Sequence, residues 1–300
     1  MEKQEILNLL KNKKELCKKR IDLPQHVDFK IVGKTLVMYL HEYGLYQNMQ
    51  YNNAAFEGWA ICLKTWLPEL IEKVIINGEI PADKSKKHYQ RFLYRLNKFI
   101  HNYSAWASTE SYKDELYNAF EANASQIVMN TPLKSAKSSA EKGEAQLERK
   151  YISDHKNSFQ AMDQQLPVRL FKNKISENTS ITPSSYLDIW GIQKDTLSIF
   201  ELKLPNNRNV GIISELMFYV NVLTDVFKHR VSILKDTKKR SFNQLYTFYQ
   251  NGNCKKIKGI FLADDIHPLI KMALAEVLST LNKGDYGFDI EYSYEKVNAI

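Results

Sequence analysis

Apolar and polar positions change rhythm along this chain. Ile6, Leu9, Leu10 and Cys17 recur at helical spacings among lysines, which predicts an amphipathic helix over residues 2–20 with a basic outer face. Residues 28–40, DFKIVGKTLVMYL, predict a β-hairpin turning at Gly33-Lys34, where a glycine supplies the positive φ of a tight turn. Helices are predicted near 54–76, 85–104 and 109–127, the first two divided by the breaker run NGEIPAD. The stretch 131–143, TPLKSAKSSAEKG, is poor in large apolar residues and reads as a linker. It divides a mainly α-helical accessory domain, 1–130, from a second domain, 144–300, that alternates helices and strands. In that half the pattern predicts a helix near 141–160, strands near 167–172, 185–191 and 197–203, and a long apolar helix near 209–228. Further strands are predicted near 230–235, 257–263 and 287–293, with helices near 241–250 and 267–282, an α/β arrangement.

Composition narrows the class. Among 300 residues, 44% are hydrophobic and 25% charged, values of a folded globular chain rather than a disordered one. Only 11 Gly and 8 Pro exclude collagen-like and linker-dominated designs. The net charge of +8 makes a polyanion such as nucleic acid a candidate partner, alongside the plainer reading of a basic surface. Cys17, Cys62 and Cys254 form no CxxC pair, which predicts a reduced, cytoplasmic chain. The first 20 residues carry charges every few positions and no apolar run of membrane-spanning length occurs, so no membrane partner is expected.

The chemistry concentrates between Ser185 and Lys203, SYLDIWGIQKDTLSIFELK, two apolar stretches either side of a polar turn. If the turn centres on Lys194-Asp195, the register sets Asp188 opposite Glu201, and Lys203 points to the same side of the sheet. A shift of one residue would send Asp188 to the other face. Two carboxylates among Leu, Ile, Trp and Phe need positive compensation. Mg²⁺ supplies it naturally, since it accepts one or two protein carboxylates and shares a substrate phosphate, and a lysine beside it can act on the attacking water. The alternative is a salt bridge within an ordinary hairpin. In the preceding helix Glu144, Leu147, Glu148, Tyr151 and Ile152 follow one face. Glu148, flanked by the apolar members, is the better candidate to reach the sheet, whereas Glu144 suits a solvated helix start.

A helix glutamate, then Asp188 in YLDIWG, then Glu201-Leu202-Lys203, resembles the PD-(D/E)XK nuclease superfamily with its restriction-endonuclease-like fold. The resemblance covers about residues 141–265 and implies an αβββαβ core. It implies that Asp188 and Glu201 bind Mg²⁺, for which Mn²⁺ can substitute, that Lys203 acts on the attacking water, and that Glu148 assists at the metal. It also implies a DNA endonuclease working in restriction, phage defence or repair, with pairing of two copies to cut both strands. Two departures stand out: Leu187 replaces the proline before the first Asp, and Glu215 in SELMFY occupies the position of a frequent Gln.

Arg208, next to the start of the following helix, is a candidate phosphate clamp, and Lys238, Lys239 and Arg240 are candidates to track a nucleic-acid backbone. Two rival readings remain: a catalytically inactive nuclease-fold module for nucleic-acid binding or assembly, and a helical interaction factor whose hairpin carboxylates form only a salt bridge. A P-loop is excluded because the position of its first glycine is Asp28, and a zincin because its second histidine position is Leu45.

Overall fold

The computed structural model describes residues 1–116, 127–130, 143–204, 208–235 and 240–297. Helix α1 (Lys3–Asn12) buries Ile6 and Leu10 and then gives way to tight turns that bury Leu16, so the apolar spacing up to Cys17 does not extend the helix to residue 20. Strands β1 (Val27–Val32) and β2 (Thr35–Leu40) pair antiparallel about Gly33, whose φ is 57°, as the turn signal predicts. After α2 (Glu42–Leu45) comes α3 (Phe56–Trp66), then β3 (Lys73–Gly78), α4 (Lys87–Asn102), β4 (Ala107–Ser108) and α5 (Lys113–Leu116).

The expectation of a mainly helical N-terminal domain is corrected here. A four-stranded sheet of order β1-β2-β3-β4 runs through it, with β3 parallel to β2 and β4 parallel to β3. Parallel neighbours need a crossover, and α3 and α4 are those crossovers. The predicted helix over 54–76 therefore stops at Trp66, ahead of Pro68, and its Val74, Ile75 and Ile76 belong to β3. Of the helix predicted near 109–127, the described residues hold only α5.

The remaining elements are β5 (Ile127–Met129), α6 (Glu144–His155), β6 (Ala161–Pro167), β7 (Leu170–Lys172), β8 (Tyr186–Gln193), β9 (Thr196–Lys203), α7 (Gly211–Phe227), β10 (Val231–Ile233), α8 (Arg240–Gln250), β11 (Lys256–Ala263), α9 (Pro268–Lys271), α10 (Leu274–Leu281) and β12 (Asp289–Glu295). A five-stranded sheet has the order β12-β11-β9-β8-β6. Its β6, β8 and β9 form an antiparallel meander, and β11 joins β9 in parallel after the crossover through α7. A smaller sheet has the order β10-β5-β7. The fold is thus mixed α/β, with mixed sheets in both halves.

The chain divides into two compact units that interleave along the sequence. The first comprises Met1–Ala124, Arg208–Glu215 and Ile266–Asp285; the second comprises Ser125–Asn207, Leu216–Asp265 and Tyr286–Ile300. Within the first unit, Gly58 admits the backbone of Val210, whose carbonyl oxygen would lie 2.5 Å from any Cβ added there. Trp66 Nε1 donates to the Leu269 carbonyl at 2.8 Å and the Tyr103 hydroxyl to that of Leu281 at 2.9 Å. Within the second unit, Leu147 and Tyr151 of α6 pack on Ile189, Phe200, Leu202, Ile260 and Leu262 of the sheet. The compositional linker 131–143 lies outside the described residues except for Gly143.

Candidate active site

The β8–β9 loop is Lys194-Asp195: Gln193 pairs with Thr196 and Ile189 with Phe200. The paired ladder ends there; continued by one step, its register would set Asp188 opposite Glu201. On the other side of β8, Gln164 pairs with Ile189 and Leu166 with Leu187, so Gln165 stands opposite Asp188 at a break in that ladder. Gln165 has φ 54°, a left-handed conformation uncommon for a residue with a Cβ. The sheet is interrupted on both sides of Asp188, at the place where the sequence concentrates its charge.

Alternation puts Asp188, Glu201 and Lys203 on one face, and Ile189, Phe200 and Leu202 on the face that packs α6. Asp188, half-buried, turns its carboxylate onto the neighbouring strand, where Oδ2 accepts the Leu202 amide at 2.8 Å, between Glu201 and Lys203. Lys203 Nζ donates to Glu201 Oε1. Both side chains of this pair are buried, Glu201 to 1% exposure and Lys203 to 7%. The contacts are thus a Lys203–Glu201 pair and an Asp188 carboxylate on the backbone amide between them.

Glu148 follows Leu147 on α6 and is 3% exposed, while Glu144 sits half-buried in the first turn. The amide of Gln165 donates to both Glu148 oxygens, at 2.9 and 3.1 Å. Burial pushes the Glu148 carboxyl above its usual range, the bonds from Gln165 pull it down, Glu144 raises it, and the Arg149 and Lys203 charges lower it. Gln165 is the member that sequence reasoning misses. Its role depends on a left-handed backbone that no local residue pattern announces.

Two oxygen-donor carboxylates at facing strand positions suit a hard cation such as Mg²⁺, which takes one or two protein carboxylates and fills its other positions with water and phosphate oxygens. Among the described residues, no group of three or more His, Cys, Asp and Glu side chains is arranged to hold a metal ion. Of the carboxylates expected from the sequence, Glu148 is held by Gln165 through both oxygens.

Arg208 belongs to the first unit and is exposed just ahead of α7. Lys238 and Lys239 lie outside the described residues, and Arg240 is described only as the first residue of α8. Glu215 is buried at 7% exposure. Among the described residues no helix is long and apolar enough to cross a membrane. Compared with family models, curated proteins and solved structures, the chain matches none.

Proposed function

We propose that this chain is a Mg²⁺-dependent nuclease that hydrolyses phosphodiester bonds in DNA on a PD-(D/E)XK type of core. One observation carries the reading: Lys203 is bonded to Glu201, and Asp188 accepts the amide of Leu202 between them, at the end of the β8–β9 ladder. The element order is compatible with it: α6, the β6-β8-β9 meander, α7 and β11 come in the order αβββαβ, with β7 inserted after β6 and β10 and α8 inserted after α7.

On this reading Asp188 and Glu201 would hold Mg²⁺ or Mn²⁺, which when bound neutralises phosphate charge and acidifies water. The chain's own groups do the rest. Lys203, an ammonium held by Glu201, orients the attacking water and balances the negative charge that grows on the phosphoryl oxygens. Asp188 is held in place by the Leu202 amide, so its free rotation is removed before substrate arrives. Glu148, braced by Gln165, adds a carboxyl that holds a proton more readily than an exposed one. The net charge of +8 favours a polyanionic substrate, and two copies of the chain would serve to cut both strands of a duplex.

The test incubates the full chain with supercoiled, linear and single-stranded DNA and Mg²⁺ or Mn²⁺. Asp188→Ala and Lys203→Ala are each expected to lower cleavage by about 100-fold or more. Cleavage that persists in both variants overturns the site. A second reading, an inactive nuclease-fold module for nucleic-acid binding or assembly, is favoured by the buried Glu201–Lys203 ion pair, a self-sufficient arrangement. Calorimetry separates the two: Mg²⁺ binding lost in Asp188→Ala supports the nuclease, and absence of any carboxylate-dependent binding supports the inactive module.

A further inference from the structure

A cleft of about 400 Å³ opens at the turn end of the β8–β9 hairpin, wholly within the second unit. Five carboxamides line its wall: Gln160 just before β6, Asn243 and Gln244 of α8, and Asn251 and Asn253 beyond it. Asn243, Thr247 and Asn251 repeat every four residues, so α8 presents one polar stripe to the cleft. Phe248, Ile192 and Ala161 add apolar surface, and among the described residues Lys194 is the single charged one of the lining. From these features we infer that the cleft takes an unpaired nucleobase of the strand bound at Asp188, Glu201 and Lys203, an inference that rests on the nuclease reading.

Each carboxamide both donates and accepts, which matches the flat edge of a base, where donors and acceptors alternate, and the apolar residues suit its faces. Among the described residues no carboxylate lines the cleft, and the Lys194 ammonium suits the phosphate attached to such a base; a neutral peptide or sugar would have no use for it. The Gln244 amide lies 3.5 Å from the Gln160 carbonyl, a long contact that a ligand edge can replace. Position agrees as well. Ile192 shares the parity of Asp188 on β8 and stands four residues away, about 13 Å at strand spacing, or roughly four nucleotides of a stacked strand. Trp190, which lies between them on that face, is 2% exposed, so a strand serving both places passes outside the packed face.

The test measures fluorescence anisotropy of labelled single-stranded oligo(dA), oligo(dC) and oligo(dT), and of an abasic oligomer of equal length, binding the full chain in EDTA so that cleavage does not intrude. At least one base series is expected to bind about 10-fold tighter than the abasic strand. Asn243→Ala combined with Asn251→Ala is expected to abolish that gap and leave abasic affinity unchanged. Thr247→Val, nearly conserving volume, is expected to narrow the gap in a protein whose packing is preserved. Equal affinity for all strands in the wild type, or a gap that survives in these variants, overturns the cleft assignment while leaving the nuclease reading intact. Displacement of the bound strand by a neutral peptide or oligosaccharide but not by a free nucleoside also overturns it. Failure to bind any strand sinks the nuclease reading itself.

Discussion

In the β1–β2 hairpin the first turn residue is Gly33, with φ 57°; in the β8–β9 hairpin it is Lys194, with φ 55°. Both loops have two residues, closed by Val32 and Thr35 in one case and by Gln193 and Thr196 in the other. The backbone demand is the same, yet only the first hairpin meets it with the residue that meets it without strain. The surroundings differ in the same sense. Strand β1 alternates buried and exposed positions throughout, whereas β9 is buried from Leu197 to Lys203. Lys34, in the first turn, pairs with Glu72 between side chains 61% and 59% exposed; Lys203 pairs with Glu201 between side chains 8% and 1% exposed. One hairpin is shaped by solvent on one side and core on the other. The second accumulates a left-handed lysine and buried charge, the local costs that proteins tolerate where a site demands them.

Lys203→Met tests the difference hardest. Removing one partner of a buried ion pair leaves the other charge uncompensated, at a cost of about 3–5 kcal/mol, so the urea midpoint is expected to fall sharply, together with DNA cleavage. Millimolar Mg²⁺ is expected to restore part of that stability, because a cation held by Asp188 and Glu201 replaces the lost charge. A midpoint insensitive to Mg²⁺ would show that the carboxylates serve only the salt bridge. Gly33→Ala comes next, with an expected loss of about 1 kcal/mol: nothing lies within 4 Å of an added Cβ, so the whole effect is the left-handed backbone. Lys194→Gly is expected to act in the opposite direction, a gain of about 0.5 kcal/mol that brings the second turn level with the first.

Glu148→Gln sharpens the comparison through pH. The folded carboxyl titrates above the unfolded value of about 4.3, because burial disfavours its charge. Stability contributed by its protonated form is present below the unfolded pKa and is lost as pH rises through the folded one. The variant is expected to flatten that decline in a stability–pH curve; an unchanged curve would remove Glu148 from the list of strained groups. Smallest of all is Lys34→Met, whose exposed ion pair is expected to leave the urea midpoint unaltered.

The two hairpins were also the most legible parts of the chain. A two-residue polar break between apolar runs fixes the register, and the register fixes which side chains meet. Asp188, Glu201 and Lys203 follow from that logic without knowledge of any distant contact. Strand β3 shows what escapes it. Val74, Ile75 and Ile76 are β-branched and follow Pro68, yet their partner Leu36–Met38 lies across a crossover helix, so no local turn signals the pairing. Gln165 escapes for a different reason, since its approach to Glu148 depends on a backbone conformation that its neighbours do not encode. The interleaving of the two units is equally silent, because the boundary at Glu215 and Leu216 falls inside the single apolar helix α7.

That interleaving bears on how the chain is made. A ribosome releases the first 124 residues early, but the first unit also includes Arg208–Glu215 and Ile266–Asp285, whose synthesis comes late. Until Asp285 emerges, Trp66 and Tyr103 lack the carbonyls of Leu269 and Leu281 that they bind in the finished molecule. The two units thus reach completion almost together, once residues 266–300 have been made, and a product that lacks them would leave both unfinished.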